Sequence, residues 1–185
     1  MTRFSKLSFT LFFGGALALS SAAQSSPDST GTKASAAMTA ADSTFLKHAA
    51  AGGMAEVELG QLASEKASNP EVKLFGQRMV DDHSKANDQL RQVAAQEHVS
   101  LPRGPSAKDK ITKTNLEKLS GDQFDRAYME DMVQDHKKDV ADFERESKTA
   151  HDPAIKSFAT QTLPTLREHL KEAQKIAPTQ QAKAQ

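Results

Sequence analysis

Two matching signatures constrain this fold most: Pro70-Glu71-Val72-Lys73-Leu74-Phe75 and, in the second half of the chain, Pro153-Ala154-Ile155-Lys156-Ser157-Phe158. Both follow the pattern Pro-x-(Val/Ile)-Lys-x-Phe, and each stands behind a capping residue, Asn69 or Asp152. A side-chain acceptor directly before proline is a strong helix start. Each signature is also preceded by a run with helical apolar spacing. Helices joined by so short a turn lie antiparallel, so the chain carries two related αα-hairpins.

The stripes agree with this reading. Val72, Phe75, Met79, His83, Ala86, Leu90 and Val93 advance by threes and fours, and Met129, Met132, His136, Val140, Phe143 and Ser147 do the same. Phe45, Gly52, Ala55, Leu59 and Leu62 mark a first helix; Ile155, Phe158, Thr162, Leu166, His169, Ala173 and Ile176 mark a last one. No window alternates long enough to make a strand. Between the hairpins, 98–120 holds Pro102, Gly104 and Pro105 and then a helical piece near Ala107 to Leu119, which suits a long crossover. The expectation is an all-α, ferritin-like four-helix bundle: two antiparallel hairpins joined by a crossover containing a short helix. Ala49-Ala50-Ala51-Gly52-Gly53 leaves the first helix thin. Pro164 predicts a kink in the last.

The ends read differently. Arg3 and Lys6 precede an uncharged run from Leu7 to Leu19, and Ser21-Ala22-Ala23 supplies small residues for a peptidase. Residues 1–23 therefore read as a secretory signal peptide cut after Ala23, which implies a periplasmic or secreted protein. The run is shorter than the roughly 20 residues that cross a bilayer, so no membrane span is expected once it is removed. Residues 24–41 are Ser, Ala and Thr-rich and read as a linker, 42–177 as the domain, and 178–185 as a disordered tail. There is no cysteine, which excludes disulfides, thiolate nucleophiles and zinc fingers. The signal carries two of the 24 basic residues and none of the 24 acidic ones, so its removal leaves a slight acidic excess. That balance argues against nucleic acid, whose phosphates demand excess cations.

The histidines carry the chemical signal. Three of six lie deep inside helices on or beside the stripes: His83, His136 and His169. His83 lies nearly as far beyond Asn69 as Glu56 lies before it. His136 likewise precedes Asp152 by almost the interval at which His169 follows it. Residues at equal counts from a hairpin turn lie at equal height, and these counts approximate half a helix, so all four are expected near mid-bundle. Three imidazoles and a carboxylate there suit copper, zinc, iron or manganese. Met79 and Met132 each stand one helical turn before His83 and His136, within the matched runs Met79-Val80-Asp81-Asp82-His83 and Met132-Val133-Gln134-Asp135-His136. Thioethers beside imidazoles form a soft set that favours copper. Methionine on a stripe also serves as core filler. Each histidine follows an acidic residue (Asp82, Asp135, Glu168), so polar pairing between hairpins is a second account of the same layer. His48, His98 and His151 receive no role.

The run from Ala63 to Val72, with Asp42-x-x-Phe45, Glu56-x-Glu58-Leu59-Gly60 and Arg78-Met79-Val80-Asp81-Asp82-His83, resembles a secreted bacterial family. That family is the ferritin-like domain of unknown function numbered forty-one forty-two, whose members are often labelled outer-membrane or periplasmic proteins. His136, Phe143-Glu144, Asp152-Pro153 and Leu163-Pro164-x-Leu166-x-x-His169-Leu170 fit the same pattern. The resemblance implies a fold and a compartment but no reaction. Di-iron ferritin-like enzymes use Glu-x-x-His, and here Val80, Val133 and Leu166 occupy the place of that glutamate.

Phosphate loops, nucleophile elbows and zinc-protease helices are absent as motifs. Three functions follow from the residues: a non-enzymatic envelope binding or stress-related module with a metal in its core, a metal-dependent redox enzyme, or a purely structural bundle. The first is favoured; oligomeric state and protein partner leave no mark in the sequence.

Overall fold

Both signature turns form as their residues dictate. Asn69 Oδ1 accepts a hydrogen bond from the Glu71 amide at 2.8 Å, and Asp152 Oδ1 accepts from Ala154 and Ile155 at 2.8 and 3.0 Å. The computed structural model describes the backbone of residues 38–182 and the side chains of residues 38–177. The expected signal peptide and most of the expected linker lie outside the described residues. The helices are α1 (Ala40–Lys66), α2 (Pro70–Gln96), α3 (Ala107–Glu117), α4 (Gly121–Thr149) and α5 (Pro153–Ala182), with no strand among the described residues. Capping boxes of Thr39 with Asp42 and Ser106 with Asp109 start α1 and α3. α5 continues past the domain end expected at 177, and it runs unbroken through Pro164, which lies on the solvent face.

α1 packs on α2 and α4 on α5; α2 also lies beside α5, α1 beside α4, and α3 along α1 and α4. The core falls into two apolar clusters. One joins Leu59 and Ala63 near the end of α1 to Val72, Phe75 and Met79 in the first half of α2. Phe124, Tyr128, Met129 and Met132 of α4 and Ala173 and Ile176 of α5 complete it. The other joins Phe45 and Leu46 of α1, Leu90 of α2, Phe143 of α4, and Ile155 and Phe158 of α5. Hence α1 and α5 run one way and α2 and α4 the other. The connection from α2 to α4 must travel the length of a 27-residue helix, about 40 Å. This is the crossover arrangement of a ferritin-like bundle. α3 is pinned on the way by Lys113 Nζ to Glu58 Oε2 at 2.8 Å.

Close packing within the first hairpin depends on two glycines. A Cβ on Gly60 would stand 2.6 Å from the Gly76 carbonyl, and one on Gly76 would stand 2.8 Å from the Gly60 carbonyl. The hairpins then hold each other by their turns. Asp125 of α4 accepts from the Ser68 and Asn69 amides at 3.0 and 2.8 Å and from the Ser68 hydroxyl, so it closes the first turn. Asp42 of α1 accepts from the His151 amide at 3.3 Å at the second turn. Asp42 and Asp125 are separated by the same interval as the two signature caps, Asn69 and Asp152, so the repeat supplies reciprocal latches. Bonds to a charged acceptor are worth about 1.5–3 kcal/mol each before desolvation. Asp125→Ala should therefore cost about 2 kcal/mol, and Asp42→Ala, which loses the α1 capping box together with one long inter-hairpin bond, a similar amount. Urea midpoints at constant m-value would check both; a negligible cost for Asp125→Ala would refute the latch.

Candidate metal centre

Between the two apolar clusters every long helix contributes to a buried polar layer: Glu56 from α1, His83 from α2 with Asn87 one turn further on, His136 from α4 and His169 from α5. The common height follows from the turn counts, because helical rise is fixed. The three imidazoles meet, with ring centroids 5.6 Å apart for His83 and His136, 5.4 Å for His83 and His169, and 5.3 Å for His136 and His169. One nitrogen from each lies within 4.8 Å of the others. Phe75 closes the group from the first cluster, edge-on to His136 and His169 at 6.4 and 6.5 Å.

Two of the rings are oriented from behind. His136 Nδ1 donates to the Met132 carbonyl at 2.9 Å, which fixes the tautomer and leaves Nε2 a bare acceptor. His169 Nε2 donates to Asp82 Oδ2 at 3.0 Å, which leaves Nδ1 bare. Asp82 is in turn held by Arg78 at 3.4 Å and Lys85 at 3.7 Å. Metal-bound histidines use such carbonyl and carboxylate partners. His83 Nε2, His136 Nε2 and His169 Nδ1 are all buried with no hydrogen-bond partner. Leaving a buried polar atom unmet costs about 1–3 kcal/mol, so three neighbouring ones ask for a reason.

Electrostatics keep the rings neutral. Burial, then the neighbouring His136 and His169, push His83 well below the ordinary imidazole value. Burial and His169 bring His136 down to about 4 despite its hydrogen bond to Met132. Burial also lowers His169, outweighing Asp82. At pH 7 the three rings are neutral, so each has one nitrogen with a lone pair to offer and no net charge to lose on binding a metal.

The remaining candidates stand around this group. Glu56 lies beside it: Oε1 is 3.8 Å from His136 Nδ1, the nitrogen already committed to Met132, and Oε2 has no partner. Burial and the charges of Asp139, Asp135 and Asp131 raise Glu56 well above the usual carboxylate range. Met79 and Met132 are fully buried in the apolar cluster that also holds Phe75. Cross-hairpin pairing also occurs, between Asp82 and His169. Asp139 has no counterpart among the residues singled out from the sequence, although it is the repeat partner of Glu56, as Asp152 is of Asn69. It is raised to about 7, by burial and then by Asp135 and Asp142 against the opposing Lys138. It lines a small cavity of about 20 Å³ beside His83, Asn87 and Thr162. That is room for one water.

A family model described as a domain of unknown function, DUF4142, matches residues 27–176. The chain belongs to this family. Among solved structures, a DUF305 fragment from Deinococcus radiodurans superposes with a TM-score of 0.68 at 14% identity, over 77% of this chain and 98% of its own. CopM in its Cu(II)-bound form superposes at 0.64, also at 14% identity, over 75% of this chain and 96% of its own. At such identity the likeness is one of fold. No functionally curated protein matches significantly. Among the described residues no helix is long and apolar enough to cross a membrane.

Proposed function

We propose that this DUF4142 protein is an exported, non-enzymatic metal-binding bundle whose centre is His83, His136 and His169. The observation that carries the reading is the convergence of three neutral, buried imidazoles, each with a ring nitrogen that has no hydrogen-bond partner. Imidazoles suit copper and zinc. Copper is favoured because Met79 and Met132 provide soft sulfur one turn away on the same helix faces, and because a neighbour of the same fold is CopM in a Cu(II)-bound form. Ligand nitrogens about 2.0–2.1 Å from an ion stand roughly 3.3–3.6 Å apart, so small ring rotations would bring the group onto it. Glu56 serves beside the centre as a buried carboxyl against His136. Binding is favoured over turnover because Phe75 covers one side of the rings and the cavity beside His83, about 20 Å³, is only large enough for a water. Export follows from the charged, apolar and small-residue pattern of residues 1–23.

The test is metal content. Protein made from Gln24 onward, exported to the periplasm and purified without chelator or affinity metal, should carry or accept one equivalent of copper by mass spectrometry. His136→Ala should retain less than a tenth of it. Zinc at the same stoichiometry would keep the site and change the ion. Protein that neither carries nor accepts a transition metal would sink the centre and leave the structural bundle.

A further inference from the structure

The thin stretch of α1 faces an open pocket of about 280 Å³ between α1, α4 and the start of α3. Ala49, Ala51, Gly52 and Ala55 form one wall, and a Cβ on Gly52 would meet nothing within 4 Å. The small-residue run thus makes space. Glu56 stands at the edge of this wall, and opposite it are four more carboxylates: Asp109 of α3 and Asp135, Asp139 and Asp142 of α4. Several are already engaged. Lys108 reaches Asp135 at 3.8 Å, Lys138 and Arg145 hold Asp142 at 3.2 and 2.8 Å, and Asp109 caps α3. Glu56 and Asp139 remain. Glu56 is 3% exposed, and its Oε2 is buried with no hydrogen-bond partner.

These two residues also connect the pocket to the histidines. Glu56 approaches His136, and Asp139 lines both the open pocket and the small cavity beside His83. We propose that this pocket is a second cation site, in which Glu56 and Asp139 hold a hydrated divalent ion. Its carboxylates do not draw together as closely as the three imidazoles do, since among the described residues only the histidines form a compact ligand set. The ion is therefore held through its water shell, as hard divalent cations permit. At about 30 Å³ per water, the pocket has room for roughly nine waters, enough for a hexahydrated ion. That the pocket feeds the histidine centre rests on the function proposed above. That it binds a cation does not.

Manganese(II) is the probe, because it takes oxygen ligands and is read directly by electron paramagnetic resonance. At pH 8, where Asp139 has released the proton it holds up to about 7, the full mature chain would be titrated beside Asp139→Asn, Glu56→Gln, Gly52→Leu and His83→Leu, each checked for helicity. Wild type should take up one weakly held equivalent. Asp139→Asn and Glu56→Gln should each weaken it at least tenfold. Gly52→Leu, which fills the pocket from a position with open space around it, should abolish uptake. His83→Leu should leave it within twofold. Manganese uptake in a protein that takes no copper would uphold this site while the histidine centre fell. Absent uptake, uptake indifferent to Asp139→Asn, or uptake lost with His83→Leu would overturn it.

Discussion

Replacing His83 with leucine should make the metal-free protein more stable and at the same time end copper binding at the histidine centre. The imidazole is buried in the middle of the bundle with Nε2 unpartnered, and the residues on its Met79 side are apolar. The repeat shows what an apolar version of this position looks like, since its counterpart in the second hairpin, Leu166, is buried in the second cluster. Removing an unmet buried polar group recovers about 1–3 kcal/mol when the replacement fits. For a domain of this length each kcal/mol moves the melting temperature by about 2–4 °C. In EDTA, His83→Leu should therefore melt several degrees above wild type. With copper at a thousand times its Kd the order reverses: wild type gains about 4 kcal/mol by linkage, on the order of 10 °C, and the variant gains nothing. Thermal scans with EDTA and with copper decide the matter. A variant that melts below wild type in EDTA would show that the imidazole is a structural member of the core.

The levels of this layer were legible because helical rise is fixed and both turns are signed by a cap and a proline. Counting residues from Asn69 and Asp152 is enough to bring His83, His136 and His169 to one height. Direction around the helix was less legible. Glu56 shares the height, yet its carboxylate meets His136 on the side facing the Met132 carbonyl, because α1 packs beside α4 and α3 lies along both. Which nitrogen each ring keeps free depends on a backbone carbonyl and on Asp82, contacts that no spacing rule reports. The Ala-Gly run read as a thin helix, and only packing against α3 and α4 shows that thinness opening a pocket. Asp125 and Asp139 had a signal in the repeat, as partners of Asp42 and Glu56, but a repeat read from two turns does not announce that its other positions matter.

Acid should empty the centre well below the pH at which exposed imidazoles protonate. His136 titrates at about 4 in the fold, and His83 and His169 are lowered with it, all chiefly by burial. Protons therefore compete with the metal only below about pH 5, about two units lower than at an equally tight site of ordinary histidines. Metal retained after dialysis across this range should fall by half between about pH 4 and 5. Release near 6.5 would mean that the ligands are solvated surface groups.

The same shifts set the stability of the metal-free protein. A lowered imidazole is neutral in the fold and takes its proton on unfolding, so its contribution is whole above about 6.5 and is lost as pH falls towards 4. For His136 alone that amounts to about 3 kcal/mol. Asp139, at about 7, Asp131, at about 6, and Glu56, raised well above the usual carboxylate range, act with the opposite sign, all raised first by burial. They keep protons that the unfolded chain has released, so their cost is present at high pH and is relieved as pH falls. Wild type should accordingly change little between about pH 7 and 4.5, two opposed slopes cancelling. Asp139→Asn reduces the carboxyl slope. The variant should be more stable than wild type at pH 8, keep only about a third of that advantage at pH 5, and so expose more of the decline due to the histidines. Urea denaturation of both proteins at the two pH values measures it, and an equal difference at pH 8 and pH 5 would refute the buried carboxyl.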